Sequence, residues 1–467
     1  MKRILLALLL SGGCFCLSLG LSDPQWWAFW LAPVPILFLA PQLRPLTLFL
    51  LAFTARLIGY LSWYSYLSGF LPIPVTIGFI SILPLLFALL ILLTRRLFLR
   101  FSTRPVAAAL IYPVLYTSLE FLLFLFSRDG TFGSIAYTQY NFLPLIQLAS
   151  LTGLPGITFV VSLTASALAL ALYYRKQNKP FRNILAAAAV PLLLVLGYGE
   201  LRLAQHPSGS PQFVGMIAYP YHSPREKYWN GISGLARQGA TVILLPEKVI
   251  NATDSTASAI QQALKDSARQ LKITIIAGVT RVYPDHPKCE AWVFTPDGNQ
   301  PLAYQKVKLF EGETLEGFTP GKDPGFFRLP GTLSGVAICK DLDFERYILR
   351  YGEQNADILW VPAWDFNKDG WLHSRMAMMR AIELGCPMVR NALAGRMTIT
   401  DSRGRVLGEA SSEGDRQASL VGSVIPGSTP TLYKQWGDWF GWLNLIALLG
   451  IISALLTRRG SKPFSGQ

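Results

Sequence analysis

Charge is scarce in this chain: Asp, Glu, Lys and Arg supply only 15% of its 467 residues, against 51% hydrophobic residues, and there are just four histidines. So little charge excludes an ordinary single-domain soluble enzyme. The five cysteines, Cys14, Cys16, Cys289, Cys339 and Cys386, form neither an even disulfide framework nor a CxxC metal pair, which excludes a disulfide scaffold. A Ser-His-Asp set, a phosphate-cradling glycine loop and a metal-spaced histidine pair are also missing. No metal and no cofactor is expected.

What is present is unevenly distributed. Long uncharged runs fill the first two hundred residues and a stretch near the C-terminus, whereas Pro211 to about Pro426 has the composition of a soluble domain. A spanning helix needs about 20 mostly apolar residues. Seven candidates begin near Ile4, Trp26, Leu46, Pro74, Val106, Leu143 and Asn183, and an eighth near Trp436. The organisation expected is a seven-helix membrane domain over residues 1–203, a catalytic domain over 211–426, a last transmembrane helix over 436–457 and a cytoplasmic tail over 458–467.

Basic residues in short loops mark the cytoplasmic side. They fall at Lys2 and Arg3, at Arg44, at Arg95, Arg96, Arg100 and Arg104, at Arg175, Lys176, Lys179 and Arg182, and again at Arg458, Arg459 and Lys462. Arg128, beside Asp129, is the exception. This alternation with an odd span count puts the catalytic domain outside. Met-Lys-Arg before an apolar run also fits a cleaved signal peptide, but Ser11 stands where a lipoprotein box before Cys14 needs a large aliphatic. The net charge of +14, placed at the ends of apolar segments, points to lipid headgroups and not to nucleic acid. Arg56 and Glu120 lie inside spans; they are expected either to pair with each other or to snorkel to an interface.

Within 211–426, short β-rich runs (Phe213–Ile217, Thr241–Leu245, Ile273–Val279, Ala291–Phe294, Gly335–Cys339, Ile358–Val361) alternate with helical stretches (Asn230–Gln238, Ser255–Leu271, Phe344–Gln354, Ser374–Leu384), which means an α/β domain. Asp297-Gly298 and Arg403-Gly404 read as hairpin turns. Function in such sheets collects at the C-terminal ends of strands. Val242-Ile-Leu-Leu-Pro-Glu247 ends in a carboxylate, Gly335-Val-Ala-Ile-Cys339 in a thiol, and Tyr304-Gln-Lys306 in an ammonium. A thiol attacks a carbonyl as thiolate, so it needs a base, for which Glu247 is the candidate. Lys306 and the N–H after Cys339 are placed to stabilise the resulting oxyanion, a contribution of about 3 kcal/mol per donor. Taken singly, a strand-end cysteine is ordinary packing and a strand-end glutamate an ordinary cap; the set of three carries the argument. Cys386, ahead of an expected strand, reads as core.

These stretches, together with His373-Ser-Arg-Met-Ala-Met-Met-Arg-Ala-Ile-Glu383, Asp401-Ser-Arg-Gly404, Asn141-Phe-Leu-Pro-Leu-Ile-Gln-Leu-Ala149 and Thr152-Gly153, resemble the carbon-nitrogen hydrolase (nitrilase) superfamily, and within it the membrane-bound apolipoprotein N-acyltransferases of bacteria. The resemblance covers nearly the whole chain. It implies an α-β-β-α sandwich on a bundle of about eight transmembrane helices in the bacterial inner membrane, the sandwich on the periplasmic side. It also implies a monomer in which Cys339 takes an acyl chain from a phospholipid and passes it to the N-terminal amine of a diacylated lipoprotein.

Departures from the family pattern flank the triad. Lys306 is followed by Val-Lys-Leu-Phe-Glu-Gly-Glu313, one residue short and without the family's proline, so Glu313 is matched to the family's second glutamate across a gap, and Lys308 competes with Lys306. The family's Cys-Tyr-Glu is Cys339-Lys340-Asp341, in which Lys340 is expected to favour thiolate or bind a phosphate, or else to be a surface lysine. Trp360, Trp364 and Trp371 are expected in an acyl pocket, the membrane interface or the core, and the loops 309–326 and 364–372 are candidate lids facing the bilayer. The rival readings are an amidase or acyltransferase with another acceptor, and a catalytically silent lipid-binding homologue.

Overall fold

The computed structural model describes residues 1–283, 286–299 and 301–457; the expected tail, with Arg458, Arg459 and Lys462, lies outside them. Among the described residues, five helices are long and apolar enough to cross a membrane: Pro45–Leu67, Ile73–Arg100, Pro105–Phe126, Leu154–Lys176 and Arg182–Leu203. Helix Lys2–Ser18 has 17 residues and Trp439–Thr457 has 19. Two expectations change. The stretch from Trp26 is not one helix but two short ones, Ala28–Leu31 and Val34–Leu39, interrupted at Pro33. The span expected from Leu143 begins with two short helices, Leu143–Ile146 and Ala149–Thr152, and the long helix starts only at Leu154, after Gly153 with φ +65°. Pro and Gly punctuate helices because one lacks an N–H and the other tolerates left-handed backbone.

The segment 26–43 nevertheless runs from one end of the bundle to the other. At its start Trp30 Nε1 donates to Gln139 Oε1 (2.6 Å), while at its finish Leu43 O accepts from Arg95 Nε (3.1 Å) and Gln42 Oε1 from Lys176 Nζ (3.2 Å). Helix Lys2–Ser18 crosses Pro45–Leu67 closely because Gly59 has no side chain; a Cβ there would lie 2.8 Å from Phe15 Cβ. Arg56 and Glu120 are both buried and do not pair. The Arg56 guanidinium donates to Tyr116 Oη (2.8 Å) inside a cage of Phe15, Phe29, Tyr60 and Phe87 rings, and Glu120 accepts from Ile135 N (2.9 Å) and the Thr158 hydroxyl. Cation–π contact replaces a counter-ion for the one, and hydrogen bonds serve the other.

The strands of the second domain are β1 Gln212–Ala218, β2 Val242–Leu244, β3 Ile250–Ala252, β4 Thr274–Arg281, β5 Lys288–Phe294, β6 Leu302–Gln305, β7 Gly325–Leu329, β8 Thr332–Val336, β9 Ile358–Trp364, β10 Met388–Leu393, β11 Arg396–Thr400, β12 Val406–Ser411 and β13 Ala418–Val424. They form two sheets, one ordered β13-β1-β2-β4-β5-β6 with β3 beside β4, the other β12-β11-β10-β9-β8-β7. The sheets face each other across a core that includes Met216, Leu244, Ile276, Val336, Trp360 and Val389. Helices Arg225–Arg237 and Asp254–Leu271 cover the first sheet, and Glu345–Glu353 and Gly370–Leu384 the second. The result is an α-β-β-α sandwich, and its buried parallel strands explain the near-continuous apolar runs in the sequence. Helix Gly370–Leu384 is buried almost all round because Trp371, Leu372, Met376, Met379 and Ile382 join the core of the membrane domain while Ala377, Ala381 and Leu384 pack on the second sheet.

Candidate active site

Three strand ends of the sandwich converge. Glu247 follows β2, Lys306 follows β6, and Cys339 follows β8. Lys306 Nζ lies 2.7 Å from Glu247 Oε1 and 2.9 Å from Glu313 Oε2, all three side chains being buried. Lys248 closes the group, 2.5 Å from Glu313 Oε1. Of the two candidate lysines, Lys306 reaches the carboxylates; Lys308 lies 4.5 Å from the ring centre of Phe344 instead. Burial works against the Lys306 ammonium, but Glu247 and Glu313 outweigh it and hold its pKa well above the usual lysine range. Burial likewise opposes the Glu313 charge, yet Lys306 and Lys248 hold that carboxyl at about 2.

Cys339 opens a tight 3-10 turn with φ +44°, a left-handed conformation for a residue with a Cβ. Such strain costs on the order of 1–3 kcal/mol and concentrates at functional sites. Its Sγ rests 3.5 Å from the carbonyl oxygen of Trp364 at the end of β9. Burial, and then the negative charge of Glu247, push the thiol above its ordinary range, while Lys306 and Arg390 pull it down. At rest the group is therefore the thiol and not the thiolate. Arg390 is locked by Asp365 (Nη1 to Oδ2, 2.9 Å), both fully buried.

The residues beside the triad have distinct places. Asp341 does not face the sulfur; its Oδ1 accepts from the N–H groups of Val307 (3.1 Å) and Lys308 (2.7 Å), and its Oδ2 from Tyr304 Oη (2.6 Å) and Ile338 N (2.8 Å). It ties the Cys339 turn to the Lys306 strand end, and burial raises its pKa to about 6. Lys340 does not lie along the thiol either: it ion-pairs with Asp129, in the segment after helix Pro105–Phe126, and sits over Phe310. Asp129 was the neighbour of the one basic residue that broke the loop pattern, and only the fold joins it to Lys340. Trp364 is half-buried against Tyr221 (ring centres 4.7 Å apart), whereas Trp360 and Trp371 are core residues.

Cys289 is the member that sequence reasoning missed. Its Sγ donates to Glu247 Oε1 (3.3 Å) from β5, where the register opposite β4 turns it inward. Glu247, Cys289 and Glu313 place possible metal-ligand atoms within 4.8 Å of one another, but the ammonium groups of Lys306 and Lys248 already sit on these carboxylates, so the donor set is that of an ion-pair cluster.

The turn also meets the membrane domain. The Asp343 carbonyl oxygen accepts from Thr131 N (2.9 Å) and Oγ1 (3.0 Å), an approach that requires Gly130, whose Cβ would collide with that oxygen. Arg380 donates to Thr131 Oγ1 (2.8 Å) and Tyr137 Oη (2.9 Å), and Tyr66 Oη to Asp369 (2.8 Å). His373 stacks on Phe132 and bonds Asp369 (3.2 Å). Burial alone would discharge this imidazole, but Asp369 and Asp343 lift its pKa to about 9. In the two candidate lid loops, Phe310 and Phe366 meet Phe70 just past the end of helix Pro45–Leu67.

Two family models match: apolipoprotein N-acyltransferase N-terminal domain over residues 11–167, and carbon-nitrogen hydrolase over 224–421. The chain is 26% identical to the apolipoprotein N-acyltransferase of Geobacter metallireducens, over 98% of this chain and 96% of that protein. It is also 26% identical to the enzyme of that name from Pseudomonas putida, over 85% and 84%. Among solved structures, an amidase from Nesterenkonia sp. AN1 in complex with butyramide aligns with 49% of this chain and 95% of its own, at 21% identity and a TM-score of 0.41.

Proposed function

The chain belongs to the apolipoprotein N-acyltransferase family, and from that premise we propose that it moves an acyl chain from a phospholipid to the N-terminal amine of a diacylated lipoprotein through a thioester on Cys339. In the first step the sulfur attacks the ester carbonyl while Glu247 takes its proton. The C–S bond forms, the C–O bond breaks, and Glu247 returns the proton to the departing lysophospholipid alkoxide. In the second step the amine attacks the thioester, the C–N bond forms, the C–S bond breaks, and the amine proton passes by way of Glu247 to the sulfur. Lys306 faces the oxyanion in both steps, and Glu313, itself paired with Lys248, keeps its charge in place.

The observation that carries this reading is the buried Glu247–Lys306–Glu313 contact beside a sulfur held on a left-handed turn. We assign the catalytic domain to the periplasmic side of the inner membrane. The basic residues Arg95 and Lys176 gather at the opposite end of the bundle from Phe70, Thr131 and Tyr137, which touch the catalytic domain. On this reading the kinked segment 26–43 counts as a crossing, which gives seven before the catalytic domain and an eighth at Trp439–Thr457. Incubation with a phospholipid should add one acyl mass to the protein, absent in Cys339→Ala, and a lipopeptide acceptor should discharge it as an amide. A wild-type protein that never carries the acyl group refutes the proposal; transfer of the acyl group to an amine other than the lipoprotein N-terminus favours the rival acceptor.

A further inference from the structure

Helix Arg182–Leu203 ends against the catalytic domain in a cluster of three arginines. A cleft of about 330 Å3 lies there between Tyr198, Leu201 and Arg202 of the helix and Arg403 and Thr429 of the catalytic domain. Arg202 is committed to neutral acceptors, Gln147 Oε1 (3.1 Å) and Ile382 O (3.4 Å). Arg403 is too: Arg202 O (3.2 Å), Thr429 Oγ1 (3.0 Å) and Gln205 Oε1 (2.9 Å). Arg405 donates to Leu203 O. The carboxylate at hand, Asp401, is occupied by the N–H groups of Arg403 and Arg405 (2.8 Å each) and by Arg405 Nη1 (3.2 Å). Among the described residues neither Arg202 nor Arg403 has a carboxylate within ion-pair distance, so three guanidinium groups face one acid. Burial, and then the like charge of Arg202, lower the pKa of Arg403, as expected where the compensating anion is missing.

The surroundings say which anion. Leu193, Leu194 and Leu201 are 67%, 70% and 73% exposed, and at spacings of seven and eight residues they share one helix face that leads up to the cleft. In a crossing helix such a face meets acyl chains. Guanidinium groups at its end fall at the depth of the headgroups, and their planar forks match phosphate oxygens. We propose that this cleft binds the phosphodiester of a membrane phospholipid, held by Arg202 and Arg403, with its chains along Leu194 and Leu201.

The site is separate from the acyl-donor site. Its lining residues, Tyr198, Leu201, Arg202, Arg403 and Thr429 among them, include none of Glu247, Lys306, Glu313 or Cys339. A lipid there would join the last helix of the membrane domain to the catalytic domain.

The test uses the full chain in detergent and native mass spectrometry with dihexanoyl phosphatidylglycerol, dihexanoylglycerol or inorganic phosphate. Wild-type protein should retain a phospholipid that Arg202→Gln holds at least tenfold more weakly and Arg202→Lys at an intermediate affinity. Dihexanoylglycerol, which lacks the phosphate, should be retained at least tenfold less than the phospholipid. Equal affinity in Arg202→Gln, equal retention of dihexanoylglycerol, or displacement of the lipid by equimolar inorganic phosphate overturns the proposal. Should Arg202→Gln fail to fold, the comparison of the three ligands on the wild-type protein decides alone.

Discussion

Replacing Lys306 by Met separates what the ammonium does for the fold from what it does for the chemistry. The side chain is 3% exposed between Glu247 and Glu313, 2% and 5% exposed. Breaking a buried ion pair by removing one partner costs about 3–5 kcal/mol. Lys248 still neutralises Glu313, which favours the lower end, about 3 kcal/mol, or a melting temperature lower by roughly 6–12 °C. Loss of the oxyanion donor should slow thioester formation by about 10²–10³-fold. Adding Glu247→Gln to Lys306→Met should return about 2 kcal/mol of stability, since the stranded charge is gone, without restoring the thioester. Scanning calorimetry at pH 7 reads the stability, and intact-mass kinetics of acylation the rate. A Lys306→Met protein that melts within 2 °C of wild type and acylates at the wild-type rate refutes the reasoning.

Three other outcomes follow from the same contacts. Glu313, at about 2 in the folded protein against 4.5 for a free glutamate, contributes up to about 3 kcal/mol that is present above pH 4.5 and lost as pH falls toward 2; the stability gap between wild type and Glu313→Gln should close over that window in acid denaturation. His373, at about 9 against 6.5, faces Asp369, Asp343 and Asp365 and the Phe132 ring. Its contribution of about 3 kcal/mol is complete below pH 6.5 and lost as pH rises through 9, so His373→Gln should abolish the alkaline loss of stability seen in wild-type melts between pH 7 and 10. Asp129→Asn breaks the pair with Lys340, but Asp129 is 43% exposed, so the expected loss is at most about 1 kcal/mol; denaturation in 1 M salt should erase it.

Glu247 and Cys339 were legible because each follows an apolar run, which in a two-sided sheet is visible without a partner strand; Lys306 follows only the short segment Leu302–Gln305, and its place between the other two in the chain is what drew attention to it. The fold brings these three candidates, Glu247, Lys306 and Cys339, to neighbouring strand ends. What stayed hidden depends on contacts between distant segments. Cys289 looks like any strand cysteine until the β4–β5 register turns it toward Glu247. Lys340 reads as a cation beside a nucleophile, and only the packing of segment 127–134 gives it Asp129 instead. Asp341 reads as an acid at the active centre, yet its four hydrogen bonds brace the turn. In the membrane part, hydropathy reported where chain is apolar but not where it is helical, so the break at Pro33 and the restart at Leu154 escaped it.

The Cys339 turn is held from two sides, and that arrangement gives the membrane domain a role beyond anchoring. From within the sandwich, Asp341 fixes the turn to the end of β6 and so sets the sulfur against Lys306. From the membrane domain, Thr131 holds the Asp343 carbonyl and Asp129 holds Lys340. A residue in a left-handed conformation persists only where its surroundings over-determine it, and Cys339 meets that condition through contacts on both sides. The cavity of about 320 Å3 lined by Phe79, Leu83, Phe87, Leu119 and Leu123, with Arg56 and Glu120, is lined also by Asp129 and Gly130. Whatever fills that cavity therefore bears on the same few residues that hold Lys340 and Asp343, and through them on the geometry of the sulfur.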